Sequence, residues 1–278
     1  MVDSFGQRLQ DRIKDLGPLC VGIDPSRELL AKWERPDSVE GLEFFALAVL
    51  EASIGVASCI KPQVAYFERF GSEGFRVLER LLKEARSADI MTIADAKRGD
   101  IGTTNDGYAQ AWLDDRSALC SDAVTLSPYL GVDALSSIIT TARENGRGVF
   151  ILAATSNPEG RLIQTARTTT EQKVETEVLR HIRTLNAQDQ GLGAVGAVLG
   201  ATRDRPEFEL ETLGGPYLVP GAGAQGASAE DVARLFERCP EGTVLVNVGR
   251  AILGRGPERS ALRDAAQRWR DDLSQALL

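Results

Sequence analysis

The sequence predicts an α/β fold, a (β/α)8 TIM-type barrel with an extra helix at its N-terminus. Three observations carry that reading. Apolar runs alternate with amphipathic segments eight times along the chain. The runs are continuous rather than alternating, the pattern of strands buried on both faces of a parallel sheet. No composition break marks a linker, so the 278 residues read as a single barrel domain spanning 1–278. The competing arrangement of the same alternation is a doubly wound open sheet.

The leading helix runs from Ser4 to Leu16, with Phe5, Leu9, Ile13 and Leu16 at helical spacing. Ser4 is its candidate N-cap and Gly17-Pro18 its stop. Leu19–Asp24 is the first strand, an apolar run ending in an acid and closed by Pro25. Helix Val39–Ile54 presents Leu42, Phe45, Ala46, Val49 and Leu50 on one side. Strand two, Ala57–Gln63, carries a lysine near its end, and helix Glu73–Ala88 follows. Strand three is Ile90–Lys97; Gly107, Tyr108, Ala111, Trp112 and Leu113 beyond it indicate a helix. Strand four is Ala123–Pro128, with helix Val132–Glu144 behind it. Strand five is Gly148–Thr155, then a polar loop Ser156–Thr170 and helix Glu171–Asn186. Strand six is Ala194–Ala201, with a helix at Pro206–Leu213. Strand seven is Tyr217–Pro220, with helix Ala229–Arg238. Strand eight is Thr243–Val248, and a helix from Arg259 to Leu277 ends the series.

Bulk properties narrow the function classes. With 43% apolar and 26% charged residues, the chain can bury a large core without staples. A net charge of −8 and the lack of a basic run argue against nucleic acid as a partner. Cys20, Cys59, Cys120 and Cys239 lack Cys-x-x-Cys spacing and read as reduced, mostly buried thiols rather than zinc ligands or disulfides. Met1–Phe5 has no basic segment leading into an apolar run, and no apolar stretch reaches membrane-spanning length. The expectation is a cytoplasmic enzyme.

In a barrel, the carboxyl ends of the strands share one face, and that face is where catalysis occurs. Functional groups collect there: Asp24, Lys61, Asp95, Lys97 and Ser127 at strand ends, Gln225 past strand seven and Arg250 past strand eight. The densest stretch is Asp95-Ala96-Lys97-Arg98-Gly99-Asp100. Asp95 and Lys97 are two apart, so on a strand both leave the same face and an acid and an amine meet in a confined space.

The last two loops make an anion site. Pro220-Gly221-Ala222-Gly223-Ala224-Gln225-Gly226 lets backbone N–H groups approach a phosphate closely, because glycine has no Cβ. Val248-Gly249-Arg250 adds further N–H groups and a guanidinium able to grip phosphate oxygens in bidentate fashion. Gly221-x-Gly223-x-x-Gly226 also spells a dinucleotide fingerprint, but too little chain follows it for a complete nucleotide-binding sheet. The strand after it also lacks the acid that would hold a ribose. His181 is the only histidine and sits in a charged helix, so it reads as a surface residue. Acid–base chemistry therefore falls to lysine and aspartate.

These residues, in this order, resemble the orotidine 5′-phosphate decarboxylase family. The resemblance rests on Asp95-x-Lys97-x-x-Asp100-Ile101 with Thr104-Asn105, and on Gly22-Ile23-Asp24, Lys61 and Ser127-Pro128. Pro220-Gly221-x-Gly223-x-Gln225-Gly226 and Val248-Gly249-Arg250 complete it. Thr155-Ser156-Asn157-Pro158 and the chain length are similar to the family's second bacterial subgroup.

The resemblance implies loss of CO2 from orotidine 5′-phosphate to give UMP, with neither metal nor cofactor. Lys61, Asp95, Lys97 and Asp100 would form an alternating charge array, with Lys97 as proton donor. Asp24 and Lys61 would hold ribose hydroxyls and Ser127 the pyrimidine edge. Gln225 and Arg250, with Pro220 and Gly249 beside them, would hold the phosphate. Asp100, Ile101 and Thr104 would reach the neighbouring subunit's site, which requires a homodimer. No role follows for the 156–170 loop, where Asn157 either touches substrate or caps a turn, the turn being the favoured reading. Three rivals share the barrel: a metal-dependent sugar-phosphate lyase or synthase, a Schiff-base aldolase, and a non-catalytic phosphate-binding barrel. The first needs an extra carboxylate near the end of strand two, where this chain has Lys61.

Overall fold

The computed structural model describes residues 4–202, 205–223 and 226–278. Eight parallel strands close on themselves in sequence order, the last pairing with the first. They are β1 Leu19–Ile23, β2 Cys59–Pro62, β3 Met91–Arg98, β4 Ala123–Leu126, β5 Gly148–Ala154, β6 Val195–Leu199, β7 Tyr217–Pro220 and β8 Val244–Val248. The barrel expected from the alternation is present, and the open sheet is not. Among the described residues, no helix is long and apolar enough to cross a membrane.

Two apolar clusters follow from the two faces of each strand. Leu19, Val21 and Ile23 of β1 point outward, into the larger cluster between sheet and helices. Cys20, Cys59, Met91, Ile93, Ala123 and Leu245 point inward and form a smaller cluster inside the barrel. The leading helix, Phe5–Leu16, closes the bottom of that interior. Ser4 caps it by accepting from the Gln7 N–H at 3.2 Å. Phe5, Leu9 and Ile13 are buried in the inner cluster, and the Phe5 and Phe150 rings meet edge to face at 6.0 Å. Gly148 begins β5 because a Cβ there would collide with the Phe5 ring.

Above the apolar layer, the inward positions become polar: Lys61 on β2, Asp95 on β3, Thr125 on β4 and Asn247 on β8. An apolar floor plugged by a helix therefore supports a polar upper layer at the carboxyl end.

Some elements differ from the periodic reading. The helix expected at Pro206–Leu213 is a single 3-10 turn, Leu210–Thr212. Pro206 C=O is taken by the Phe208 N–H in a tight turn, and Glu209 is extended, so no helical ladder starts there. The loop at 156–170 contains a 3-10 turn, Pro158–Gly160, and one helical turn, Arg161–Gln164. Short helices at Arg27–Lys32, Ala65–Glu68 and Arg250–Leu253 fill βα loops too brief to show a period. His181 is exposed on helix Val174–Asn186, as expected of a surface residue.

Candidate active site

A cavity of about 450 Å³ opens at the carboxyl end of the barrel. Of the residues singled out from sequence, Asp24, Lys61, Asp95, Lys97, Pro220, Gly249 and Arg250 line it. Its centre is Asp95. Lys61 Nζ donates to Asp95 Oδ2 at 2.7 Å, and Lys97 Nζ donates to Oδ1 at 2.6 Å. The Thr125 hydroxyl donates to the same Oδ1 at 2.9 Å, and Lys97 Nζ also reaches Gln63 Oε1 at 3.3 Å. A carboxylate with both oxygens occupied by ammonium groups is a charge-assisted network, strong because its interior members are shielded from water.

The electrostatics follow from that geometry. Burial alone would raise the Asp95 carboxyl, but the Lys61 and Lys97 ammonium groups outweigh it and hold Asp95 well below the usual carboxylate range. Burial alone would lower Lys61, but Asp95 and Asp24 outweigh it and keep the amine protonated far into alkaline pH. Asp24 behaves oppositely. Burial raises its carboxyl, which the positive charge of Lys61 only partly offsets. Its Oδ1 is sealed from solvent without a hydrogen-bond partner among the described residues. A buried acceptor left open at a cavity wall is suited to a ligand hydroxyl.

Two glycines keep this corner open. A Cβ on Gly249 would lie 2.9 Å from Asp24 Oδ2, and Gly221 has φ of 102°, a conformation side chains seldom adopt. Arg250 is exposed and faces the cavity from the start of its short helix. Gln225 lies outside the described residues.

Ser127, and the three residues expected at the neighbouring subunit's site, Asp100, Ile101 and Thr104, are not on this cavity's wall. Ser127 is half-buried at the end of β4, where its N–H donates to Arg98 C=O at 2.8 Å. Asp100 turns away into its own loop: Asn105 Oδ1 accepts from its N–H at 2.9 Å, and its Oδ1 accepts from the Ile101 N–H at 2.8 Å. Ile101 is 62% exposed, and Thr104 is exposed beside it. The loop is nevertheless held firmly, because the buried Asn105 amide also donates to Asp100 C=O and Ala134 C=O.

Conversely, Gln63, Tyr66, Thr125 and Asn247 line the cavity without having been singled out, and Thr155 and Ser156, noted only as part of a subgroup motif, line it too. Asn247 was legible in principle as a polar residue at an inward position of an apolar strand. Asn157 is both on the wall and in a turn, accepting from the Thr155 hydroxyl at 2.6 Å.

Known proteins share this sequence and fold. The sequence profile of the orotidine 5′-phosphate decarboxylase / HUMPS family matches residues 17–265. An orotidine 5′-phosphate decarboxylase of Salinispora arenicola is 48% identical over 276 residues, covering 99% of each chain. One of Streptomyces coelicolor is 45% identical over 277 residues, again covering 99% of each. A Streptomyces avermitilis crystal structure, provisionally assigned the same activity, superposes with a TM-score of 0.95 at 46% identity, covering 99% of this chain and 96% of that one. The Leishmania donovani OMP decarboxylase structure gives 0.77 at 28% identity, covering 98% of each chain. The chain belongs to the orotidine 5′-phosphate decarboxylase / HUMPS family.

Proposed function

We propose that the protein is a carboxy-lyase of pyrimidine biosynthesis that converts orotidine 5′-phosphate to UMP and CO2, using only its own side chains. The observation that carries this reading is the Lys61–Asp95–Lys97 network on the cavity wall of a chain in this family.

The phosphate is assigned to the glycines of the 220–226 loop, to Gly249 and Arg250, and to Gln225. The ribose hydroxyls fall to Asp24, whose open Oδ1 is a ready acceptor, and to Lys61. The ring then lies toward Lys97, with Ser127 assigned to its edge. The bond from ring C6 to the carboxylate carbon breaks, CO2 leaves and the electron pair stays on C6. The Lys97 ammonium stabilises that developing negative charge and transfers one proton to C6. Asp95, ionised across the working pH range, holds both ammonium groups in place without taking a proton. Phosphate binding energy, made far from the breaking bond, lowers the barrier where it drives loop closure and expels water.

Asp100, Ile101 and Thr104 complete the proposal through a pairing of two subunits. Their exposure beside a rigid loop supports a homodimer in which they enter the partner's cavity. A cytoplasmic location is part of the same reading and fits the free cysteines.

The sugar-phosphate lyase alternative places a divalent cation near the end of β2. In this chain the Lys61 ammonium lies 2.7 Å from Asp95 and holds the carboxylate that such a cation would need. The test is spectrophotometric. Purified protein with excess EDTA should consume the ultraviolet absorbance of orotidine 5′-phosphate at an undiminished rate. Turnover that appears only on adding a divalent cation would overturn the metal-free reading.

A further inference from the structure

The stretch that carries Asp95 and Lys97 is not a regular strand. β3 and β4 pair as Ile93↔Ala123 and Ala94↔Val124, then resume at Arg98↔Leu126. Between those pairs, Asp95, Ala96 and Lys97 stand opposite Thr125 alone. The excess is taken up as a bulge, and Lys97 sits in the left-handed region at φ 48°. A bulge breaks the ladder, so a backbone donor there loses its strand partner.

One side chain repairs the break. The Thr125 hydroxyl accepts from the Lys97 N–H at 2.9 Å and donates its own proton to Asp95 Oδ1 at 2.9 Å. Lys97 Nζ returns to that same Oδ1 at 2.6 Å. The result is a closed ring: Lys97 backbone, Thr125 hydroxyl, Asp95 carboxylate, Lys97 ammonium. Thr125 is 1% exposed, and β-branching restricts its rotamer, so the ring hangs on a fixed point. Among the described residues, no other side chain hydrogen-bonds to the Lys97 backbone. A valine has nearly the same shape as threonine but can neither accept from the Lys97 N–H nor donate to Asp95.

We propose that Thr125 is a positioning residue for the decarboxylation: its hydroxyl, seated in the β3 bulge, sets where the Lys97 ammonium stands relative to Asp95. The proposal rests on the decarboxylase reading above. It assigns Thr125 no contact with the reacting atoms. Without the hydroxyl, the bulge relaxes, Lys97 leaves the left-handed region, and its ammonium swings on a chain that is already partly exposed. Displacement of a reacting group by about an ångström costs on the order of 100-fold in rate. The phosphate and ribose contacts lie on other strands, so ground-state binding is spared.

The test compares Thr125→Val and Thr125→Ser with the parent for kcat, KM and UMP affinity. Thr125→Val should lower kcat by about 10- to 100-fold while UMP affinity changes less than about threefold. Thr125→Ser keeps the hydroxyl and should hold kcat within about fivefold of the parent. Should Thr125→Val fail to fold, Thr125→Cys carries the comparison, since a thiol keeps the packing but is a weak donor and acceptor. The inference is overturned if Val, or Cys in its place, retains kcat, if Ser is as impaired as they are, or if UMP affinity falls in step with kcat. A parent with no decarboxylase activity would instead sink the reading on which the inference stands.

Discussion

Lys61 and Asp95 form a pair almost sealed from water: 2.7 Å from Nζ to Oδ2, with side chains 6% and 11% exposed. A buried pair of this kind is tolerated only while both partners are present. Removing one leaves an uncompensated charge in a poorly solvated place.

Asp95→Asn should therefore cost stability as well as activity, about 3–5 kcal/mol at neutral pH. The sign of the pH dependence follows from the two shifts. Asp95 is depressed in the fold, so its contribution is present above the ordinary carboxylate pKa of about 4 and is lost as pH falls below it. Lys61 is raised, so its contribution is present below about pH 10.4 and is lost as pH climbs past it. Urea midpoints measured against pH should show a parent–variant gap that is flat through neutrality. The gap should narrow in acid below about pH 4. A gap that widened there would contradict the assignment.

Asp24 calls for the opposite experiment. Its carboxyl is raised by burial and has an unpaired oxygen, so the ionised group destabilises the empty enzyme. Asp24→Asn should raise the melting temperature at neutral pH, and the gain should shrink as pH falls and the parent's Asp24 takes up a proton. The same change should raise KM, because the residue is assigned to a ribose hydroxyl. A variant that gained stability with KM unchanged would remove Asp24 from the substrate site.

The role given to Asp100 is testable by mixing. Asp100→Ala and Lys97→Ala should each be inactive alone. Scrambled together, they should regain about a quarter of parental activity, because half of the random dimers are heterodimers and each of those carries one intact site. No recovery in verified heterodimers would place Asp100 outside the partner's site.

Much of this was readable from residues alone, and the exceptions have physical causes. Continuous apolar runs ending in charge located β1, β2 and β3 and put Lys61 and Asp95 at one end of a barrel. The same-face argument for Asp95 and Lys97 reached the correct neighbours by an incomplete route. A bulge intervenes, and no glycine betrays it, because Lys97 itself takes the positive φ. Thr125 was hidden because threonine in an apolar run reads as an ordinary strand former. Periodicity identified the amphipathic leading helix but not that Phe5 plugs the barrel, since a moment says which face is buried and not against what. Pro206–Leu213 spans too few turns for its spacing to establish a helical period, and only Leu210–Thr212 forms a 3-10 turn. Asp100 was legible only through the resemblance, because nothing in its spacing shows that Asn105 holds its loop away from the cavity of its own subunit.

The most direct test of the charge-array mechanism is the turnover of Lys97→Ala at saturating orotidine 5′-phosphate with EDTA present. Lys97 is partly exposed, so the variant should melt like the parent and still bind UMP. Its kcat should fall by at least about 1000-fold, the combined loss of a proton donor and of charge stabilisation at C6. A folded, UMP-binding variant that kept kcat within about tenfold of the parent would contradict the account.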